Sequence, residues 1–189
     1  MAADAGADGD SVYLPGADVR PNWDASALSR RYAVRVLTEA DVEMIFALCR
    51  TQTLFYRYHP PFVTPESILE DLRALPPGKT VADKLFAGFF DGTALAAILD
   101  LIWDYPARGT AWLGLFMLDA ARQGQGEGTA LVGEILQALR EAGMSRVRLG
   151  VDLGNAQSWA FWTKNGFSQV DTGRYLVLER ALGDAAAVE

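Results

Sequence analysis

The amino-acid sequence predicts an α+β fold, built on a mixed, twisted, mostly antiparallel sheet of six or seven strands with helices on both faces. Three observations predict it. The elements read in the order β-α-α-β-β-β-α-β-α-β-β, with a meander in the first half. The dipeptide Asp91-Gly92 between two apolar runs is a strong hairpin signal. A strand–helix–strand crossover then sits in the middle of the chain, and such a crossover makes a parallel pair, so the sheet is mixed.

The chain has 189 residues, half of them hydrophobic, which suits one domain with ample core. Residues 1–30, rich in Ala, Asp and Gly and without sustained periodicity, read as a flexible arm in which Tyr13 or Trp23 could dock onto the domain. Residues 31–182 form the domain, and residues 183–189 a disordered tail.

Residues 32–37 alternate and read as the first strand. Thr38 and Asp41 have capping-box spacing and start a helix running to about residue 50. Within it Cys49 shares a face with Val42, Ile45 and Phe46, which makes it a small buried apolar residue rather than a nucleophile. Residues 51–63 are aromatic and contain Pro60-Pro61, and read as a loop. Thr64 caps a second helix with Pro65 at its first position, and Pro76-Pro77-Gly78 ends it. Strands follow at residues 84–90, 93–103 and 110–118. A glycine-rich turn at 124–128 feeds a helix to about residue 142, with Leu131, Ile135 and Leu139 on one face. A strand at 146–152 turns Val147, Leu149 and Val151 inward, a short helix spans 155–164, and strands near 167–171 and 174–179 close the domain.

A net charge of −7 argues against non-specific binding to nucleic acid or an anionic membrane, and mildly favours a cationic partner. The single cysteine leaves no internal disulfide framework. No apolar run reaches the roughly 20 residues that span a bilayer, and the acidic N-terminus lacks the basic and apolar regions of a signal peptide. A cytoplasmic protein that needs no metal is expected.

The informative segment is Gln123-Gly124-Gln125-Gly126-Glu127-Gly128-Thr129, which follows an apolar strand and opens a helix. Glycine lets the backbone approach a ligand closely. The first N–H groups of a helix have no internal partner, so such a bend suits a phosphate or pyrophosphate; a tight connection would use the same residues. A dinucleotide fold would need glycine where Thr129 stands, and would place this turn after its first strand.

With these residues the sequence resembles the GNAT N-acetyltransferase superfamily, whose pyrophosphate motif Q/R-x-x-G-x-G/A is matched by Gln123, Gly126 and Gly128. A second family pattern is matched by a strand ending at Val151, then Asn155, Ser158, Trp162, Lys164 and Gly166-Phe167. The resemblance covers residues 32–180. It implies acetyl-coenzyme A as cosubstrate, in a cleft between two parallel strands that splay apart. The backbone of Phe116, Met117 and Leu118 would hold the pantetheine arm, and an N–H near Leu118 would polarise the thioester carbonyl. The amides from Gln123 to Thr129 would hold the pyrophosphate. Asn155, with Ser158 and Trp162 on the same helix, would line the cofactor. A primary amine of a small molecule or peptide would attack directly in a ternary complex.

Two departures stand out. Many members carry tyrosine where this chain has Trp162, which has no hydroxyl to protonate the leaving thiolate. No carboxylate lies within residues 111–118, so the base is sought among Asp100, Asp104, Asp152 and the lone His59, with Asp100 and His59 foremost. Tyr56, Tyr58 and His59 are expected to border the acceptor, although their segment could equally be a hydrophobic plug or a dimer contact. Family resemblance makes a homodimer an expected partner state. The departures also leave room for a non-catalytic acyl-coenzyme A sensor or interaction module.

Overall fold

The structure, a computed structural model, describes residues 23–183. Its strands are β1 (Ala33–Val36), β2 (Lys84–Asp91), β3 (Ala94–Ile102), β4 (Thr110–Leu118), β5 (Arg146–Asp152), β6 (Ser168–Thr172) and β7 (Tyr175–Ala181). Its α-helices are α1 (Val42–Cys49), α2 (Thr53–Tyr58), α3 (Pro65–Arg73), α4 (Glu127–Glu141) and α5 (Ala156–Lys164). They build one seven-stranded sheet in the order β1-β2-β3-β4-β5-β7-β6. Every neighbouring pair is antiparallel except β4–β5, which the crossover through α4 makes parallel.

Strand alternation divides the core between the two faces of the sheet. Ala97, Leu99 and Leu118 join the cluster that includes Leu131, Ile135 and Leu139 of α4. Ile98 and Met117 join the opposite cluster, with Ile45 and Cys49 of α1 and Ile68 of α3. Cys49 is 2% exposed, and burial pushes its thiol up to about 11, so it is an unreactive core group.

Three local readings are corrected. Residues 51–63 are not all loop, because Thr53–Tyr58 forms α2. The capping box at Thr38 and Asp41 is present, but it opens a 3-10 turn, Glu39–Asp41, before α1 begins. The portion of the expected arm that the structure describes is packed on the domain. Trp23 docks on the domain as expected, meeting Trp103 edge-on at 4.9 Å; what differs is that the segment after it is also held, with Leu28 fully buried and Ser29 Oγ donating to Glu134 of α4 at 2.5 Å. The rest of the expected arm, with Tyr13, and the tail from residue 184 lie outside the described residues.

Candidate active site

The site begins where β4 and β5 part. They pair only from Thr110↔Arg146 to Leu113↔Leu149, although β4 runs on to Leu118 and β5 to Asp152. The parting follows a bulge. Leu101 faces Leu113 and Asp100 faces Leu115, which leaves Gly114 as the extra residue. A bulge bends its strand and increases the local twist, and this one sits at the last paired position.

Beyond the bulge, Asp119 N–H donates to Ala96 O at 2.8 Å. That bond makes Leu118 and its partner Ala97 a non-hydrogen-bonded pair of the ladder. By the alternation of an antiparallel ladder, the main-chain groups of Leu118 and Phe116 turn toward the gap beside β5. Those of Met117 turn to Ile98 instead, so Met117 does not present its backbone to the gap as expected. The Leu118 carbonyl accepts from the side-chain amides of Gln52 (3.0 Å) and Gln123 (2.9 Å), and Gln123 also donates to Gln52 (2.9 Å). These two amides tie the end of β4 to the α1–α2 junction, and the Leu118 N–H faces the gap.

The glycine bend lies at the same end of β4. Gly124 (φ 77°) and Gly126 (φ 81°) both take the left-handed conformation, and a Cβ at either would meet nothing within 4 Å. Gly126 is the N-cap of α4 and supplies no side-chain cap, so the N–H groups of Glu127, Gly128 and Thr129 are free of intrahelical partners. Gln125, Gly126 and Glu127 border an open groove of about 500 Å3. Glu127 would repel an anion there. Arg122 pairs with it at 3.0 Å and with Asp91 at 2.7 Å, and the Tyr32 hydroxyl donates to it. The Tyr32 bond first, then Arg122, holds its carboxyl below the usual glutamate range.

Two residues expected along the cofactor have structural tasks. Asn155 caps α5, its Oδ1 accepting from Ser158 N–H at 3.0 Å, and is buried. Trp162 is 7% exposed and lies edge-on to Phe116, Phe161 and Phe167 at 5.9, 5.0 and 5.1 Å. It is a core aromatic rather than a residue lining the cleft.

A cavity of about 200 Å3 opens at the parting of the strands. Leu113, Gly114 and Leu115 of β4 and Gly150 and Asp152 of β5 form one wall, and Phe55, Tyr56 and His59 stand over it with Asp71 and Tyr175. Tyr58, expected beside them, points elsewhere. Its ring is the atom group nearest a Cβ built on Gly154, at 3.9 Å, and it does not line the cavity.

Two expected proton acceptors come together here. His59 Nδ1 is 3.0 Å from Asp152 Oδ1, and the imidazole lies between Phe55 (5.2 Å) and Tyr175 (6.4 Å). With Nδ1–H donating to the carboxylate, Nε2 carries the free lone pair. Asp100 faces the cavity from β3. Its Oδ2 pairs with Lys84 Nζ at 3.0 Å, while its buried Oδ1 has no hydrogen-bond partner. Burial raises Asp100 to about 6 against the opposing pull of Lys84. Lys84 also donates to the carbonyls of Asp71 (2.6 Å) and Ala74 (2.9 Å). Asp104 is no base: at φ 52° it accepts from Gly109 N–H at 2.6 Å and shapes a turn.

Sequence reasoning missed Gln52, Asp71, Lys84 and Tyr175. Lys84 lies near Asp100 because a bulge in the β2–β3 hairpin sets Asp100 opposite Phe86. Among the described residues no cluster of His, Cys, Asp or Glu could hold a metal ion.

The profile of the acetyltransferase (GNAT) family matches residues 47–167, from within α1 to just past α5. Mycothiol acetyltransferase from Beutenbergia cavernae is 33% identical over 103 residues, which is 54% of this chain and 34% of that protein. The chain thus spans about a third of the length of this curated relative. An acetyltransferase from Thermus thermophilus superposes with a TM-score of 0.69 at 22% identity, covering 78% of this chain and 95% of that one. The PaiA N-acetyltransferase from Thermoplasma acidophilum, in complex with coenzyme A, gives 0.60 at 23% identity over 78% and 97%. A phosphinothricin acetyltransferase from Sinorhizobium meliloti, in complex with AcCoA, gives 0.59 at 17% over 84% and 92%.

Proposed function

Because the chain belongs to the acetyltransferase (GNAT) family, we propose that it transfers an acetyl group from acetyl-coenzyme A to a primary amine that attacks directly in a ternary complex. The observation that carries this reading is the parting of β4 from β5 after Leu113, with the glycine bend at the head of the same gap. The residues fit the cosubstrate. Gly124 and Gly126 leave room for a diphosphate against the first amides of α4. The free edge of β4 at Phe116 and Leu118 suits the amides of a pantetheine arm. Two of the similar structures hold coenzyme A or acetyl-coenzyme A, which supports the choice.

Bound acetyl-coenzyme A supplies a thioester: the amine nitrogen bonds to its carbonyl carbon, the carbon–sulfur bond breaks and the sulfur leaves as thiolate, while the nitrogen gives up two protons in going from ammonium to amide, one before attack and a second, as the amide forms, to solvent or the departed thiolate. The Leu118 N–H is placed to stabilise negative charge developing on the carbonyl oxygen. The amine arrives from the cavity as an ammonium, with a pKa of about 10.4, and must lose a proton first. His59 takes it at Nε2 while Asp152 holds the ring at Nδ1. The His59 side chain is 43% exposed and can pass the proton to solvent at each turnover, whereas that of Asp100 is 14% exposed and paired with Lys84. Trp162 donates no proton to the sulfur. None is required near neutrality, because a thiol with a pKa of about 8.5 leaves readily as thiolate.

Isothermal titration and thermal melting with coenzyme A test this. Binding should be seen, and at a ligand concentration of about 100 times Kd it should add about 2.7 kcal/mol, or roughly 5–10 °C in Tm. No heat and no shift would end the reading. Binding without coenzyme A release across a broad amine panel would favour the acyl-coenzyme A sensor instead.

A further inference from the structure

We infer that the acceptor is a compact amine with an apolar body about the size of one ring and no anionic group, its ammonium seated on Asp100. The inference rests on the acetyl-transfer reading. It is carried by the cavity at the parting of β4 and β5.

Size comes first. The cavity measures about 200 Å3, below the range of roughly 300–1,000 Å3 that houses drug-sized ligands. It encloses a group about the size of one ring and no more. Its walls bear on the body of the acceptor, because Phe55, Tyr56, Phe86, Trp112 and Tyr175 bring five aromatic rings to the cavity beside its polar groups. Such walls favour an apolar group, and an aromatic face attracts a nearby ammonium.

Charge decides the rest. Asp71, Asp100 and Asp152 line the cavity, and among the described residues no lysine or arginine does. Lys84, the cation behind Asp100, is committed to Asp100 Oδ2 and to the carbonyls of Asp71 and Ala74. An acceptor carboxylate or phosphate would therefore meet like charge, with no described lysine or arginine to receive it. An ammonium, by contrast, finds an opposite charge in Asp100, which lines the cavity and whose carboxylate has Lys84 as its one side-chain partner, its enclosed Oδ1 making no hydrogen bond. The carboxylate is also in the right place. Gly114 has no side chain, and a Cβ there would stand 2.8 Å from Asp100 Oδ2. Asp100 thus reaches across the strand to the point where β4 loses β5, beside the gap proposed for the thioester.

Three matched amines test this with the full-length protein saturated with acetyl-coenzyme A: phenethylamine, phenylalaninol and phenylalanine. The last two have nearly the same bulk and differ in a neutral hydroxymethyl against a carboxylate. Phenethylamine and phenylalaninol should turn over, with phenylalanine at least about 100-fold lower in kcat/KM. Asp100→Asn should raise KM for phenethylamine about tenfold or more, with coenzyme A affinity by titration within twofold. Where that variant folds poorly because Lys84 is left unpaired, Lys84→Met with Asp100→Asn removes both charges and should show the same KM rise. Phenylalanine equal to phenethylamine would overturn the inference, as would an unchanged KM in a folded Asp100 variant. So would inertness of all three amines in a protein that binds coenzyme A. Failure to bind coenzyme A at all would instead strike the acetyl-transfer reading.

Discussion

At Gly114 a single added methyl group would stand 2.8 Å from Asp100 Oδ2 and 3.3 Å from its Cγ. Lys84 holds that carboxylate from behind at 3.0 Å, so Asp100 has little room to retreat. Gly114→Ala should therefore displace Asp100 or widen the bulge, at a cost of about 1–3 kcal/mol in stability. Steady-state kinetics should show kcat/KM for the amine falling about tenfold, which is about 1.4 kcal/mol. Coenzyme A affinity by titration should hold within twofold, because Phe116, Leu118 and the glycine bend are untouched. A variant with normal amine kinetics would separate Asp100 from the acceptor. At this scale the sequence was partly legible. Asp100, His59 and Asp152 stood out one by one as proton acceptors, but the contact between His59 and Asp152 joins residues 93 positions apart. Lys84 was hidden by one irregularity. A plain two-residue turn at Gly92-Thr93 sets Phe86 against Leu99, and the bulge between Phe89 and Phe90 moves Asp100 into that place.

Among the elements, α1 was readable because its entry is chemical, whereas α2 was not. Thr53–Tyr58 has six residues with no apolar period and no buried member, and prolines follow it closely. Tertiary packing holds it there, with Phe55 and Tyr56 against the core under α1 and α3. The start of α1 depends on Asp41. Its carboxylate accepts from Thr38 N–H at 2.8 Å and from Arg35 Nη2 at 2.7 Å, which joins the end of β1 to the helix. The Arg35 guanidinium, foremost, lowers the Asp41 pKa to about 2. Asp41→Ala should cost about 1–2 kcal/mol, or roughly 2–8 °C in Tm at neutral pH. The sign with pH follows from the depressed folded-state value. The contribution is complete above the ordinary aspartate value of 3.8 and fades as pH falls through about 2. Melting curves of the two proteins should converge at the acid end. A Tm difference that persisted unchanged below pH 2 would mean that packing, not the carboxylate, carries the effect.

For the whole molecule, element order and one crossover were enough to give a mixed sheet with a parallel pair at its centre, because handedness and chain connectivity leave few alternatives. The place where that pair opens was not readable, since it depends on a bulge that pattern alone does not mark at Gly114. Nor was the packing of the described stretch before β1. The stretch before β1 is poor in periodicity, yet Ala25–Leu28 forms a 3-10 turn capped by Asp24, whose Oδ1 accepts from Ser26 N–H at 2.9 Å. That turn carries Leu28 into the cluster shared with Leu131 and Ile135 of α4. Ser29 and Arg31 fasten it further through Glu134. The turn thus bridges the β1 edge of the sheet and the helix whose N-terminus forms the glycine bend. Leu28→Ala should leave a cavity and cost about 2–5 kcal/mol, which for a domain of this length is roughly 4–20 °C in Tm. The folded fraction should keep its coenzyme A affinity, because Leu28 touches neither the bend nor the gap. A fall in Tm of less than about 2 °C would mean that this segment adds little to the core and that the domain starts, energetically, at β1.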